Sequence, residues 1–129
     1  MELQTGLKNS IAQVVTENDT ALAVGSGSLK VLATPKLIAL VEKAAAELVE
    51  KNLSSELTSV GISVNFEHTA PTPVGMKISA EVEIIEIAGR KIIFKVAVFD
   101  EVGEIGHGTH ERFIVNREKF QNKADNKFS

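Results

Sequence analysis

The pattern of apolar and polar positions divides the chain into one helical segment and five strand-like segments. Behind Thr34-Pro35, apolar residues recur at helical spacing and predict a long helix over about residues 35–51. The apolar positions are Leu37, Ile38, Leu40, Val41, Ala44, Ala45, Leu48 and Val49. Threonine followed by proline is typical of a helix start, with the threonine as N-cap.

One strand pattern precedes the helix and four follow it. The predicted strands cover about residues 7–16, 60–68, 76–87, 91–99 and 105–116. The strand at 60–68 alternates apolar and polar residues without interruption, which predicts one buried face. The strand at 91–99 is apolar on both faces, which indicates cover on both sides, such as a second subunit would give.

Two local signals refine the predicted sheet. The alternation changes phase at Ile84-Ile85, which indicates a β-bulge. Ala88-Gly89-Arg90 predicts a hairpin turn, and the connections between the last four strands are short, which favours antiparallel pairing of neighbours. The predicted fold class is therefore α+β, with one long helix packed on a five-stranded antiparallel sheet.

The composition narrows the function classes. The 129 residues fit one domain over residues 1–120, and the polar segment 121–129 predicts a disordered tail. The net charge is −3 and no basic cluster is visible, which argues against nucleic-acid binding. The chain has no cysteine, and it shows neither a signal-peptide pattern nor an apolar run of membrane-spanning length, so we expect a cytoplasmic protein without membrane association.

Four residues are candidates for chemistry, and each also has a structural explanation. Glu42 is an acid at the edge of the helix's apolar stripe, suited to acid–base work, or it simply turns to solvent. His68 continues the apolar face of its strand and can transfer protons, or it bonds a backbone carbonyl. Thr34 at the helix start either caps the helix or offers a hydroxyl near the helix dipole. Gly61 marks a bulge or a close approach by a ligand or another chain.

A metal site is not predicted. His107 and His110 are three residues apart in a strand, so their side chains point to opposite faces. Gly25-Ser26-Gly27 lacks the third glycine of a dinucleotide-binding loop. No Gly-x-Ser-x-Gly nucleophile elbow is present.

Several stretches of the chain, over about residues 5–120, resemble the fluoroacetyl-CoA thioesterase family, in the order and spacing of that family. They are Val31-Leu32-Ala33-Thr34-Pro35, Glu42, Val60-Gly61, His68-Thr69-Ala70-Pro71-Thr72-Pro73-Val74-Gly75 and His110-Glu111-Arg112-Phe113. The resemblance implies the hot-dog fold and a homodimer that hydrolyses acyl-CoA thioesters, with no metal and with CoA only as part of the substrate.

The resemblance also assigns residues. The catalytic threonine, glutamate and histidine of the family fall on Thr34, Glu42 and His68, its substrate-contacting glycine on Gly61, and a ligand-binding arginine on Arg112. The fluoroacetyl-specific enzyme has lid phenylalanines before the helix, whereas Gly25-Ser26-Gly27-Ser28-Leu29 has no aromatic residue here. We therefore expect a more general thioesterase, acting on a short or small acyl group, with Arg112 and Arg90 near the CoA phosphates.

Spacing adds one expectation. Gly61 and His68 are seven residues apart on one strand, about 23 Å, so a site that uses both must take Gly61 from a partner subunit. Other functions remain open at this point. A non-catalytic acyl-CoA or acyl-carrier binding module would bind without turnover. An enoyl-CoA hydratase-type enzyme would pair a histidine with Asp19 or Asp100.

Overall fold

The computed structural model describes residues 2–128, which form a five-stranded antiparallel sheet around one long helix. The strands are β1 (Lys8–Val14), β2 (Leu57–His68), β3 (Lys77–Ala88), β4 (Lys91–Phe99) and β5 (Glu104–Asn116). The helices are α1 (Ala21–Val24), α2 (Thr34–Glu50) and α3 (Arg117–Asp125), with 3-10 turns at Glu17–Asp19 and Asn126–Phe128. This confirms the predicted α+β architecture.

The core lies between α2 and the inner face of the sheet. The helix buries Leu37, Leu40, Val41, Ala44, Ala45, Leu48 and Val49. Alternate residues of β3 and β4 meet them, among them Ile84 and Phe94, which are fully buried. At roughly 25 cal/mol per Å² of apolar surface, this burial is the main stabilising term. On the outer face of β4, Ile93 and Ala97 stay half-buried and Lys95 is exposed, so residues 2–128 cover that face only in part.

The strand order is β1-β3-β4-β5-β2, which corrects one expectation about neighbours. β3, β4 and β5 pair in sequence as predicted, but β2 pairs with β5 at the far edge and not with β3. The connection between β2 and β3 contains Pro71 and Pro73, and proline cannot continue a ladder of strand hydrogen bonds. The backbone N–H of Leu32 donates to the Thr72 carbonyl in this connection, and Val31 forms an isolated β-bridge with Pro73. This connection therefore carries the chain across the sheet instead of closing a hairpin.

The pairing register shifts at three places in the described sheet: within β3, within β2, and where Val98 and Phe99 of β4 pair with the start of β5. The predicted bulge in β3 is confirmed, because the pairing with β4 shifts between Ile84 and Glu86. A second one lies in β2 between Gly61 and Ser63, which confirms the bulge that Gly61 indicated as one of two interpretations, although the alternation gave no sign of it. The uninterrupted alternation expected for residues 60–68 is therefore wrong: Ile62 is the extra residue, and the strand changes face around it.

The chain end differs from the predicted disorder. Residues 121–128 continue α3 and its 3-10 turn, while Ser129 lies outside the described residues. The side chain of Asn116 caps α3 by accepting from the Lys119 backbone N–H, and Arg117 bonds the Ser55 and Leu57 carbonyls and Glu50. These contacts hold a helix that buries no residue of its own, an arrangement that a polar composition alone does not predict. No described helix is long and apolar enough to cross a membrane, and the cytoplasmic location remains a prediction.

Candidate active site

Two clusters of polar side chains stand where α2 faces β2. The first joins Thr34 and His68, whose Oγ1 and Nδ1 atoms share a hydrogen bond of 2.8 Å. The expected N-cap role of Thr34 is wrong, since Ala33 occupies the N-cap position and no side chain caps the helix. Thr34 is already helical, so its hydroxyl points to His68 at the end of β2 and not back to the helix backbone.

The His68 imidazole is set up to exchange protons. Burial lowers the pKa of His68, and the neighbouring Ala70 backbone opposes this effect only partly. The ring is therefore neutral near pH 7. Its Nε2 atom is buried and has no hydrogen-bond partner in the described chain. A buried nitrogen without a partner is costly, and a reacting group with a proton to give or take would satisfy it.

The Thr34–His68 pair lines a surface cavity of about 330 Å³. Its walls come from the helix start, from the segment after β2 and from the loop between α1 and α2. Apart from His68, no aromatic residue within residues 2–128 lines this cavity, and Leu29 in that loop is 68% exposed.

The second cluster gathers Glu42, Gly61, His110 and Arg112. The β2 bulge makes this possible, because Gly61 pairs with Arg112 and Val64 with His110, and paired residues share a face of the sheet. Gly61 and His68 therefore both lie on the helix side, although seven residues separate them. Without the extra Ile62, strand alternation would send one of them to the outer face.

Glycine is needed at position 61 for room. A Cβ atom there would lie 2.6 Å from Glu42 Oε2, 3.2 Å from His110 Cε1 and 3.4 Å from Arg112 Nη1. The carboxylate of Glu42 thus rests directly on the backbone of β2. Its side chain stays 42% exposed, so solvent or a ligand reaches the carboxylate from outside.

Arg112 lies beneath Glu42 and is held from several sides. Its Nε donates to Ser59 Oγ at 2.8 Å, and its Nη2 donates to the Ser59 carbonyl at 2.9 Å. Its Nη1 is 3.2 Å from His110 Nε2 and 3.9 Å from Glu42 Oε2. Burial lowers the pKa of Arg112, against the pull of the Glu42 and Glu50 carboxylates, but a guanidinium keeps its charge in proteins. With only 6% of its surface exposed, Arg112 is poorly placed to meet phosphates at the surface.

The structure brings together the predicted site residues as two pairs, Thr34 with His68 and Glu42 with Gly61. Thr34 and Glu42 are eight residues apart on α2, about 12 Å, so the pairs remain separate within one chain. Ser59 and His110 were not among the predicted site residues. His110 could have been found from its position two residues before Arg112 in the same predicted strand, because residues two apart in a strand point to the same face.

The other candidates have structural roles. Asp19 bonds Thr16 and lies 3.8 Å from Lys36, and Asp100 accepts from Thr72 and from turn N–H groups. Neither contact is the Asp–His pair that a hydratase would use. His107 is exposed beside Glu67 and Glu104, and no group of three or more potential metal ligands occurs within residues 2–128.

Comparison with known proteins identifies the family. The profile of the fluoroacetyl-CoA-specific thioesterases matches residues 15–118, which is most of the chain. The chain belongs to this family. The fluoroacetyl-CoA thioesterase of Streptantibioticus cattleyicolor is 35% identical over 98 residues, which are 76% of this chain and 70% of that protein.

Solved structures support the same family and fold. A variant of the fluoroacetyl-CoA thioesterase FlK in complex with acetyl-CoA superposes with a TM-score of 0.93 at 28% identity, covering 98% of this chain and 100% of that one. A hot-dog-like protein from Thermanaerovibrio acidaminovorans gives a TM-score of 0.88 at 18% identity, covering 97% and 93%. The protein therefore has the hot-dog fold that its sequence led us to expect.

Proposed function

We propose that the protein is an acyl-CoA thioesterase that works without a metal and acts on a short or small acyl group. The observation that carries the proposal is the 2.8 Å hydrogen bond between Thr34 and His68, the two residues that the resemblance in sequence assigns as catalytic threonine and histidine. A hydroxyl bonded to a neutral imidazole is a typical arrangement for nucleophilic or general base catalysis. Glu42 is the third residue that the resemblance assigns to catalysis.

The proposed site forms between two subunits. Strand β2 is at the edge of the sheet, with Ile62 50% and Val64 39% exposed. An exposed edge of this kind accepts a further strand through its free backbone groups. If β2 pairs antiparallel with β2 of a second copy, about a twofold axis between Val64 and Asn65, Gly61 of one subunit lies opposite His68 of the other. Glu42 of one chain then approaches Thr34 and His68 of its partner, which unites the two clusters.

The chemistry follows from the state of each group. Neutral His68 takes a proton from the attacking water, which Thr34 and Glu42 orient; if Glu42 attacks the thioester carbonyl instead, a mixed anhydride forms first and a water deprotonated by His68 then hydrolyses it. The Gly61 backbone N–H is proposed to stabilise the developing oxyanion, a contribution of typically about 3 to 4 kcal/mol. The C–S bond breaks, a C–O bond forms, and the His68 imidazolium gives its proton to the departing CoA thiolate. Arg112, as a buried cation under Glu42, would bind the acyl end of the substrate.

The loop before α2 bears on which acyl groups the enzyme hydrolyses. The segment Gly25-Ser26-Gly27-Ser28-Leu29 offers no aromatic side chain to close over the acyl group. Discrimination between a fluorinated acyl group and its hydrogen analogue needs contacts that differ between the two. Acetyl-CoA and fluoroacetyl-CoA are therefore expected to be hydrolysed with similar kcat/KM.

The test is thiol release from a panel of acyl-CoA esters by the wild type and by Thr34→Ala, Glu42→Ala and His68→Ala. We expect turnover by the wild type and losses in all three variants. Saturable CoA binding without turnover would favour a binding module, and loss of enoyl absorbance would favour a hydratase. An active wild type whose three variants keep the full rate would contradict the site.

A further inference from the structure

His110 is the most deeply enclosed polar side chain near Glu42, and its bonds are specific. The residue has no exposed surface, and its ring stacks on Phe94 with 6.0 Å between the ring centroids. Its Nδ1 lies 2.9 Å from the Ser63 carbonyl oxygen, and its Nε2 lies 3.2 Å from Arg112 Nη1. Both ring nitrogens therefore have partners, unlike those of His68.

These partners fix which nitrogen carries the proton. A carbonyl oxygen only accepts, so Nδ1 must hold the hydrogen, and a guanidinium only donates, so Nε2 must be free to accept. The charged groups around the ring are Arg112 and Glu111 on its own strand and Glu42 from α2, while Phe94 and Ser63 present uncharged groups from β4 and β2. Burial lowers the pKa of His110, and the Arg112 charge acts in the same direction. The hydrogen bond to Ser63 and the two carboxylates oppose the shift without cancelling it.

We infer that His110 is a positioning residue, which as the neutral Nδ1–H tautomer holds the Arg112 guanidinium against Glu42 beside Gly61. Ser59 holds the Nε and Nη2 side of that guanidinium, and His110 holds the Nη1 side. Nη1 is also the atom closest to Glu42, at 3.9 Å. The acceptor at His110 Nε2 therefore sets where the positive charge sits under the carboxylate. The inference rests on the proposed function, because Glu42 is its reacting group.

The inference separates His110 from a residue that only fills space. A phenylalanine at this position would keep the stack on Phe94 but remove both hydrogen bonds. A glutamine keeps an amide oxygen near the place of Nε2, so it can accept from Arg112. His107 lies on the same strand but is half-exposed and bonds only exposed glutamates, which makes His107→Gln the matched control.

The experiment compares kcat and KM for acetyl-CoA hydrolysis in wild type, His110→Phe, His110→Gln and His107→Gln. Misplacement of a charge at a reacting group costs up to about 100-fold in rate, so we expect His110→Phe to lower kcat by about 10- to 100-fold with a smaller change in KM. His110→Gln should recover most of that loss, and His107→Gln should match wild type. Equal losses in the Phe and Gln variants, or none in either, would overturn the inference.

A second measurement does not depend on turnover. Nitrogen-15 NMR of the histidine rings in the wild-type protein reports which nitrogen of His110 is protonated. We expect the Nδ1–H tautomer at pH 7, and an Nε2–H tautomer or a charged ring overturns the inference even if His110→Phe fails to fold. A wild type without hydrolysis of any acyl-CoA would refute the proposed function, while the tautomer would still decide the bonding of His110.

Discussion

The two polar clusters share α2 and β2 but differ in how their hydrogen bonds are used. At the helix start, Thr34 and His68 make one bond to each other, and His68 Nε2 remains without a partner in the described chain. Further along the helix, Arg112 is tied to Ser59 and His110 before it meets Glu42. The first cluster has free capacity to move a proton, whereas the second has fixed its polar groups in place. This contrast fits a single site in which the Thr34–His68 cluster transfers protons and the Arg112–Glu42 cluster holds charges in position.

The strongest test of this comparison mixes two inactive variants. Glu42→Ala and His68→Ala should each lose about 100-fold or more in kcat, the usual contribution of a general acid or base. If Glu42 of one subunit works with His68 of the other, a mixed dimer has one intact site and one without either residue. Random mixing makes about half of the dimers mixed, so co-refolded variants should regain about a quarter of the wild-type rate.

A matched mixture controls this experiment. Thr34→Ala combined with His68→Ala removes the same cluster from both chains, so this pair should regain nothing. Heterodimers purified by two affinity tags give the cleaner reading, about half of the wild-type rate for the first pair. If verified heterodimers of Glu42→Ala and His68→Ala stay inactive, the two clusters do not combine across the subunits.

The next prediction tests the room that Gly61 provides. In Gly61→Ala the new methyl group would meet mainly the end of the Glu42 side chain, which is flexible and can move away, and more weakly the His110 ring, whose Cε1 would lie 3.2 Å from it. We expect kcat to fall by about 10-fold or more through displacement of the carboxylate, while stability changes by about 1 kcal/mol or less. Thiol release and urea denaturation measure the two effects.

Gly108 is the control for steric cost without chemistry. A Cβ atom at position 108 would lie 2.0 Å from the Asn65 carbonyl oxygen and 2.8 Å from Phe66 Cα, both in the backbone of β2. Backbone cannot give way as a side-chain end does, so Gly108→Ala should destabilise the fold by about 1 to 3 kcal/mol or more. A Gly61→Ala variant that is as unstable as Gly108→Ala would show that position 61 serves the fold and not Glu42.

How far the sequence predicts this arrangement depends on the range of the interactions. The apolar stripe of α2 and the turn at Gly89 follow from neighbours a few residues away, and both are confirmed. The bulge at Ile62 was predicted only as one of two interpretations of Gly61, because the apolar–polar alternation on either side of that glycine continues as in a regular strand. Likewise the Thr34 hydroxyl turns from the expected cap to His68, which is 34 residues away in the chain. Pairing of β2 with β5 and burial of His110 also depend on distant segments, which local spacing does not specify.

The pH dependence of stability involves one histidine from each cluster. The pKa values of His68 and His110 are both lowered by burial, so the folded state binds fewer protons than the unfolded state. Their stabilising contribution is complete above the unfolded histidine pKa and is lost as the pH falls through their lowered folded pKa values. Urea denaturation between pH 8 and 5 should therefore give a free energy of unfolding that decreases toward low pH.

Substitution separates the two histidines in that profile. His68→Gln and His110→Gln should each make the decrease below about pH 6.5 less steep, and the double variant should make it shallower still. His107→Gln serves as the reference, since that ring is exposed on the outer side of β5. A wild-type stability that rises as the pH falls through this range would contradict the lowered pKa values in both clusters.

The smallest expected effect lies outside both clusters, at α3. Arg117 pairs with Glu50, and both side chains are about half exposed, so the ion pair contributes at most about 1 kcal/mol. Arg117→Ala also removes the exposed hydrogen bonds to the Ser55 and Leu57 carbonyls, so it should lower the free energy of unfolding by about 2 kcal/mol at most and leave kcat unchanged. However, the Glu50 charge also affects the pKa of Arg112. The variant therefore also tests whether a change in surface charge near Glu50 affects catalysis through Arg112. A lowered kcat with an unchanged melting temperature would mean that Ser59, His110 and Glu42 do not by themselves determine the position of Arg112. Surface charges near Glu50 would then also contribute to it.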